Sequence, residues 1–192
     1  NLGKKIKIPD ESSALRIRDE LSMQAFVVEN IVNKTTKRNP LPPFITSKLQ
    51  QEAIRKLRFS AKKTMSIAQE LYEGIELGSG GPVGLITYMR TDSTRISAEA
   101  AGEALTLIQE RFGKEYAPSK PRFFKNSKKV QDAHEAIRPA SVFVTPEKTA
   151  PYLSKDQQAL YTLIWKRFVA SQMTEALIDG CTITIQAGTY QL

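Results

Sequence analysis

The chain has 192 residues, 41% of them hydrophobic and 25% charged, enough for one ample core or two modest ones. Lysine and arginine outnumber aspartate and glutamate by 28 to 20, and the resulting charge of +8 favours a polyanionic partner such as nucleic acid. A single cysteine excludes an internal disulfide framework and a cysteine-based zinc site, and no apolar run approaches the ~20 residues that span a bilayer. A reducing, cytoplasmic setting without a membrane partner is expected.

From Pro9 to Leu21, Ala14, Ile17 and Leu21 share one helical face behind an acidic first turn. The stretch "AFVVENIVNKTTKRNP" is rich in β-branched residues and predicts a strand ending at Pro40. "NPLPPF" is a stiff junction, which puts a domain boundary at residues 40–41. Ser47 with Gln50 forms a capping-box pattern ahead of Leu49, Ala53 and Leu57. Ser60 is placed to cap a second helix with Met65, Ala68 and Leu71–Tyr72 inward, stopped near Gly74. After the glycine run "GSGGPVG", the segment "VGLITYM" predicts a short strand.

Ser97 caps the next predicted helix, with Ala101, Leu105, Ile108 and Phe112 on its stripe. Pro146 fits the first turn of a short helix. Ser154 and Gln157 repeat the capping box before Leu160, Tyr161, Ile164, Trp165 and Phe168. Residues 181–187 alternate with period two, which predicts a strand with Cys181 as a buried thiol. Strands at both ends of a helical body predict an α+β chain. Residues 1–40 and 175–192 would form parts of a β-rich domain, and 41–174 a mainly helical domain inserted into it. The chain begins without Met and ends within an alternating pattern, so it reads as a piece of a longer protein.

The glycine run lacks the Lys–Ser/Thr pair of a phosphate loop and reads as a turn. Residues 120–129, "KPRFFKNSKK", carry five basic residues including Lys125, Lys128 and Lys129, and two adjacent aromatics. Such a segment can bind phosphates and stack an unpaired base, or it can be a solvated loop anchored by its Phe pair. Arg55, Lys56, Arg58, Lys62 and Lys63 form a second basic cluster on predicted helix faces. The one histidine, His134, lies in "DAHEAIRP", too poor in donors for a metal site; it can shuttle a proton, donate to a phosphate or serve the core.

"LITYMRTDSTRIS" is the most chemically loaded stretch. A phenol with a pKa of about 10 is only ~0.1% ionised at neutral pH, so a nucleophilic tyrosine needs a neighbour that stabilises charge. In an extended chain Tyr88, Arg90 and Asp92 share a face, so the Arg90 guanidinium can stand beside the phenol or an attacked phosphate, with Asp92 orienting it. A packed tyrosine beside a surface arginine would show the same spacing.

"GPVGLITYMRTDSTRIS" closely resembles the active-site segment of the bacterial type IA DNA topoisomerase I family, and "DAHEAIRP" resembles a second signature of it. The flanking "LPPFITSKLQQEAIRKLRFSAKKTMSIAQELYEG" and "LYTLIWKRFVASQMTEALIDGCTITIQAG" are similar to the segments around those signatures. The resemblance implies that Tyr88 attacks a single-strand phosphodiester to give a 5′-phosphotyrosyl link. It implies that Arg90 contacts the scissile phosphate and that His134, Glu135 and Arg138 lie near the DNA, with Asp92, Ser93 and Thr94 also facing it. No ATP is implied.

The family's Mg²⁺ is held by an Asp-x-Asp cluster in another domain, and no Asp-x-Asp occurs here. The chain therefore looks like the β-rich arch and the helical tyrosine domain alone, without metal ligands. Its expected partners are single-stranded DNA and the remaining domains of the same polypeptide, in a monomer associated with the bacterial nucleoid. Two other readings remain: a non-catalytic nucleic-acid-binding module, and the topoisomerase module of a larger fused enzyme such as a reverse gyrase.

Overall fold

The computed structural model describes residues 5–78, 80–124 and 134–192. Its architecture is α+β, with helices and antiparallel strands gathered into two compact units, Asn1–Arg38 with Ala176–Leu192, and Asn39–Glu175.

The first unit holds helix α1 (Glu11–Ser22) and strands β1 (Phe26–Arg38), β4 (Ala176–Ala187) and β5 (Tyr190–Gln191). Asp10 caps α1 by accepting from the Ser13 amide at 2.8 Å. β1 and β4 pair antiparallel from Phe26↔Ala187 to Arg38↔Ala176, with a bulge between Val28 and Asn30. All thirteen residues of β1 are exposed, so the apolar side chains Val27, Ile31, Leu177 and Ile183 face outward. A ribbon open on both faces buries little apolar surface, and strand pairing without a packed apolar face is marginally stable on its own. Cys181 is exposed on this ribbon, not buried as expected. Its alternating pattern predicts a strand correctly, but only a packed second layer would bury one face.

The second unit is a helical body of α2 (Thr46–Leu57), α3 (Ala61–Glu73), α4 (Ala98–Arg111), α5 (Pro146–Thr149) and α6 (Lys155–Ser171). α6 packs against α2, α3 and α5, and Leu160, Tyr161, Ile164, Trp165 and Phe168 all turn inward. The expected caps Ser60, Ser97 and Ser154 each accept an amide three residues on, and Ser154–Gln157 completes a reciprocal capping box. Buried polar groups on α6 find carbonyls: the Trp165 indole donates to Val142 O at 2.8 Å, and the Tyr161 hydroxyl to Val144 O.

Four local expectations fail in instructive ways. α2 starts at Thr46 with Ile45 as an N-cap that makes no side-chain bond, so Ser47 is no cap. The first amide of α2 is satisfied from outside the helix, by Thr91 O at 2.9 Å. Leu71 is buried but Tyr72 is not; its ring lies 40% exposed at the end of α3. The buried stripe of α4 runs through Ala100, Ala101, Ala104, Leu107 and Ile108, leaving Phe112 exposed, because close-packed alanines face the core. The segment "VGLITYM" forms no strand beyond Val83; it makes one isolated bridge, Ile86↔Pro139. The glycine run, of which Ser79 lies outside the described residues, falls between β2 (Ile75–Glu76) and β3 (Pro82–Val83), which pair antiparallel.

Candidate active site

Residues 85–93 cross between α3 and α4 as an irregular segment that bends at Thr87, Met89 and Arg90. Leu85 and Ile86 are both buried, and from Tyr88 onward exposure alternates. Leu85, Met89, Thr91 and Ser93 are buried, while Tyr88, Arg90 and Asp92 are exposed. The exposed positions Tyr88, Arg90 and Asp92 thus alternate with buried Met89, Thr91 and Ser93 without a strand, on a backbone that bends.

Side chains and loop backbones supply those partners. The Thr46 hydroxyl accepts from the Thr91 amide at 2.9 Å and donates to Met89 O at 2.8 Å, while the Thr46 amide donates to Thr91 O at 2.9 Å. Both peptide units flanking Arg90 thus hang on one threonine. The Thr87 hydroxyl plays a matching role: it donates to Ala136 O at 2.7 Å and accepts from the Arg138 amide at 3.0 Å. Leu85 N–H donates to Leu71 O at 2.7 Å, which ties the segment to the end of α3. Gly84 permits that approach, since a Cβ there would stand 2.8 Å from Tyr72 O.

The "HEAIRP" segment is held from three sides. Ala136 N–H donates to Arg95 O at 2.7 Å, Ile137 N–H to Phe44 O at 2.8 Å, and Ala140 N–H to Leu85 O at 2.9 Å. With Arg138 N–H on Thr87, every amide from 136 to 140 is used, proline having none to give. This allocation delivers His134 to the Tyr88 segment.

Two clefts meet there. One, of about 280 Å³, is lined by Tyr72, Thr87, Tyr88, Thr91, His134 and Glu135. The other, of about 450 Å³, is lined by Ile45, Thr46, Ser47, Arg90, Thr91, Asp92 and His134. His134 and Thr91 line both. Tyr88 is 44% exposed and stacks edge-on against Tyr72 with ring centroids 5.4 Å apart. Among the described residues its hydroxyl has no hydrogen-bond partner, and neither Arg90 nor Asp92 makes a salt bridge. The site thus presents an exposed phenol in the first cleft and an exposed guanidinium without a carboxylate partner in the second, two residues apart in the chain.

The other expected site residues divide. Glu135 and Arg138 pair with each other at 2.7 Å, and the largely buried Arg138 guanidinium also donates to Pro139 O at 3.0 Å. In this structure the Arg138 guanidinium is thus engaged within its own segment. Ser93 is fully buried and its hydroxyl accepts from the Arg95 amide at 3.1 Å. Thr94 is half-buried. Lys125, Lys128 and Lys129 lie outside the described residues. The start of their segment is fixed: the buried Gln172 side chain accepts from Arg122 N–H at 3.0 Å and donates to Arg122 O at 3.1 Å, and Phe123 is exposed. In the second basic cluster, Arg55 and Lys56 pair with Glu52, and Lys63 pairs with Asp156.

Thr46, Thr87 and Tyr72 escaped the sequence reading as site residues. A signal for Thr87 existed, since the alternation that turns Tyr88 outward turns its neighbour inward, where a hydroxyl must find a partner. Among the described residues no three His, Cys, Asp or Glu come together as a metal site.

A family model for DNA topoisomerase matches residues 1–192. The chain is 49% identical over 181 residues to DNA topoisomerase 1 of Xylella fastidiosa (strain Temecula1), covering 93% of this chain and 22% of that protein. It is 49% identical over 177 residues to DNA topoisomerase 1 of Rickettsia prowazekii, covering 92% and 23%. Among solved structures, full-length topoisomerase I from Thermotoga maritima superposes with a TM-score of 0.80 at 44% identity, over 100% of this chain and 30% of that one. The chain spans under a quarter of the length of these two curated relatives. With the family model matched from end to end, this chain belongs to the DNA topoisomerase family.

Proposed function

We propose that this chain is the nucleophile-bearing part of a type IA DNA topoisomerase, which relaxes negatively supercoiled DNA by cutting one strand, passing another through the gap and resealing. The observation that carries the reading is an exposed Tyr88, its hydroxyl without a hydrogen bond among the described residues, followed two residues on by an exposed Arg90 without a salt bridge, in a topoisomerase family member. Both sit on a backbone held on either side by Thr46 and Thr87.

On this reading the Tyr88 oxygen attacks phosphorus, a tyrosyl–phosphate bond to the 5′ side forms, and the bond from phosphorus to the 3′ oxygen breaks. The phenol gives up its proton and the leaving 3′ oxygen gains one. Arg90 faces the phosphate and stabilises the charge that gathers on its free oxygens, as a planar, always-charged donor fork is suited to do. His134, lining both clefts, lies in reach of the strand on either side of the break. Resealing reverses each step, so one phosphodiester is exchanged for another and no nucleotide need be hydrolysed. Residues 41–174 are the tyrosine-bearing domain and the β1–β4 ribbon belongs to the arch. Metal ligands belong to the part of the relatives' length that this chain does not span, and no step here draws on them.

The test uses the full-length polypeptide that carries this chain, with Tyr88 intact or changed to Phe. Each is mixed with Mg²⁺ and a single-stranded oligonucleotide labelled at its 3′ end, and label on denatured protein is counted. Label on the wild type alone supports both the nucleophile and the polarity; label on both moves the nucleophile elsewhere. The 192-residue chain alone is expected to bind single strands weakly and to relax no supercoiled DNA. A docking module without chemistry is the second reading, favoured by Phe123, 60% exposed at the head of the basic segment. It takes over if neither protein carries label and both still bind the oligonucleotide.

A further inference from the structure

An attacking phenol must be aimed as well as exposed. Tyr88 stands 44% accessible with no hydrogen bond to its hydroxyl among the described residues, so nothing polar fixes its ring. Among the described residues its ring contact is with Tyr72, edge-on at 5.4 Å between centroids and 66° between planes. Tyr72 reaches it from the last turn of α3, and both rings line the same cleft of about 280 Å³ with Thr87, Thr91, His134 and Glu135.

The placement of Tyr72 is itself built. Its neighbour Leu71 is fully buried and accepts the Leu85 amide at 2.7 Å. Its own carbonyl lies so close to Gly84 that any Cβ there would stand 2.8 Å away. The distance between the end of α3 and the Tyr88 segment is therefore set by backbone contact on one side and by the threonine bonds of Thr87 on the other. A tyrosine at position 72 that served only the core would turn inward, as Leu71 does; this ring is 40% exposed and its described aromatic partner is Tyr88.

We infer that Tyr72 is a positioning residue for the reaction: its ring walls the Tyr88 phenol into the rotamer from which the hydroxyl meets the phosphate. The inference rests on the reading of Tyr88 as the nucleophile. Its physical basis is the edge-to-face preference of aromatic rings, which orients without hydrogen bonding. The chemical gain is orientation, because a freely turning phenol spends most of its time misaligned for in-line attack. The Tyr72 ring, and not its hydroxyl, is the working part.

The test is single-turnover cleavage of a saturating 3′-labelled oligonucleotide by the full-length polypeptide that carries this chain. Tyr72→Phe keeps the ring and should cleave within about twofold of wild type, whereas Tyr72→Ala should be slower by roughly three- to tenfold, the span an aromatic pair contributes. Oligonucleotide affinity, measured on a Tyr88→Phe background, should be the same with and without the Tyr72→Ala substitution. A wild-type rate in Tyr72→Ala overturns the inference. So does a loss in Tyr72→Phe as large as in Tyr72→Ala, which would put the work on the hydroxyl, or a loss matched by weaker binding.

A second measurement separates this inference from the reading beneath it. In the 192-residue chain with ring-labelled tyrosine, the Tyr88 ring resonances, assigned by their loss in Tyr88→Phe, should shift and sharpen toward free rotation in Tyr72→Ala but not in Tyr72→Phe. Unchanged Tyr88 resonances in Tyr72→Ala overturn the inference whatever the cleavage assay shows. If the resonances respond while wild-type protein forms no adduct, the packing stands and the nucleophile assignment falls.

Discussion

Thr46 and Thr91 exchange two hydrogen bonds, amide to carbonyl at 2.9 Å and amide to hydroxyl at 2.9 Å, as a pair in a sheet would, although neither lies in a strand. With the Thr46 hydroxyl also donating to Met89 O at 2.8 Å, one side chain fixes the backbone on both sides of Arg90. Replacing Thr46 by Val keeps the shape and the amide-to-carbonyl bond to Thr91, and removes the bonds of the hydroxyl. The cost expected is about 1–3 kcal/mol, because the Thr91 amide and the Met89 carbonyl are left without a partner. Urea unfolding of the 192-residue chain measures it, and Thr46→Ser should recover most of the loss. Equal stability of Thr46→Val and wild type would show that water replaces the hydroxyl.

Gly84 is expected to resist substitution although its φ is unremarkable for a non-glycine residue. A Cβ would meet the Tyr72 carbonyl at 2.8 Å, and a backbone oxygen held in a helix end has little room to give. Gly84→Ala should cost roughly 1–3 kcal/mol, the range for overpacking a tight contact. The Tyr88 ring resonances should move with it. The same substitution at Gly102, which faces open space on α4, should be neutral or slightly stabilising.

Alkaline pH should destabilise the helical unit through Tyr161. Burial pushes this phenol well above its ordinary value, so the folded chain keeps the proton after the unfolded chain has lost it. Stability from this group is complete below pH ~10 and falls as pH rises above it, by at most about 1.4 kcal/mol per pH unit. Tyr161→Phe should flatten that slope. It should also lower stability at neutral pH by about 1–2 kcal/mol, because the Val144 carbonyl loses its donor. Urea midpoints at pH 8 and pH 10.5 for both proteins check the two effects together.

At acid pH the relevant pair is exposed and its effect smaller. The Arg111 guanidinium, bonded to Glu147 at 2.9 Å, holds that carboxyl at about 2, with the Thr145 side chain adding to the effect. A depressed carboxyl contributes stability above its unfolded value near 4.5 and loses it as pH falls toward 2. Because both side chains are largely solvated, Glu147→Gln should cost no more than about 1 kcal/mol at pH 7 and low salt. The difference from wild type should shrink steadily between pH 5 and pH 3, and a constant gap would assign the cost to packing.

Much of this chain was legible locally. Ser60, Ser97 and Ser154 announce helix starts because a cap bonds an amide two or three residues ahead. The apolar stripe of α6 is read from its own spacing, and the exposure of Tyr88, Arg90 and Asp92 from simple alternation. The bonds that hold that segment are of another kind. Thr46 to Met89 and Thr91, and Thr87 to Ala136 and Arg138, join residues 43 to 51 positions apart. No periodicity encodes such partners; they follow from which loops the packed helices bring together.

By itself the sequence determined the α+β character, the basic charge, most helix starts, and the exposure of Tyr88 and Arg90 beside buried Met89, because each depends on composition or on neighbours within one helical turn. Only the tertiary structure decided that Thr46 would serve the Arg90 backbone while Ser47 capped nothing, that Ser93 and Arg138 would turn inward, that Tyr72 would face Tyr88 and that Cys181 would lie exposed. The reason is that a buried backbone amide or carbonyl must be paired, and which side chain pairs it is settled by the geometry of elements distant along the chain.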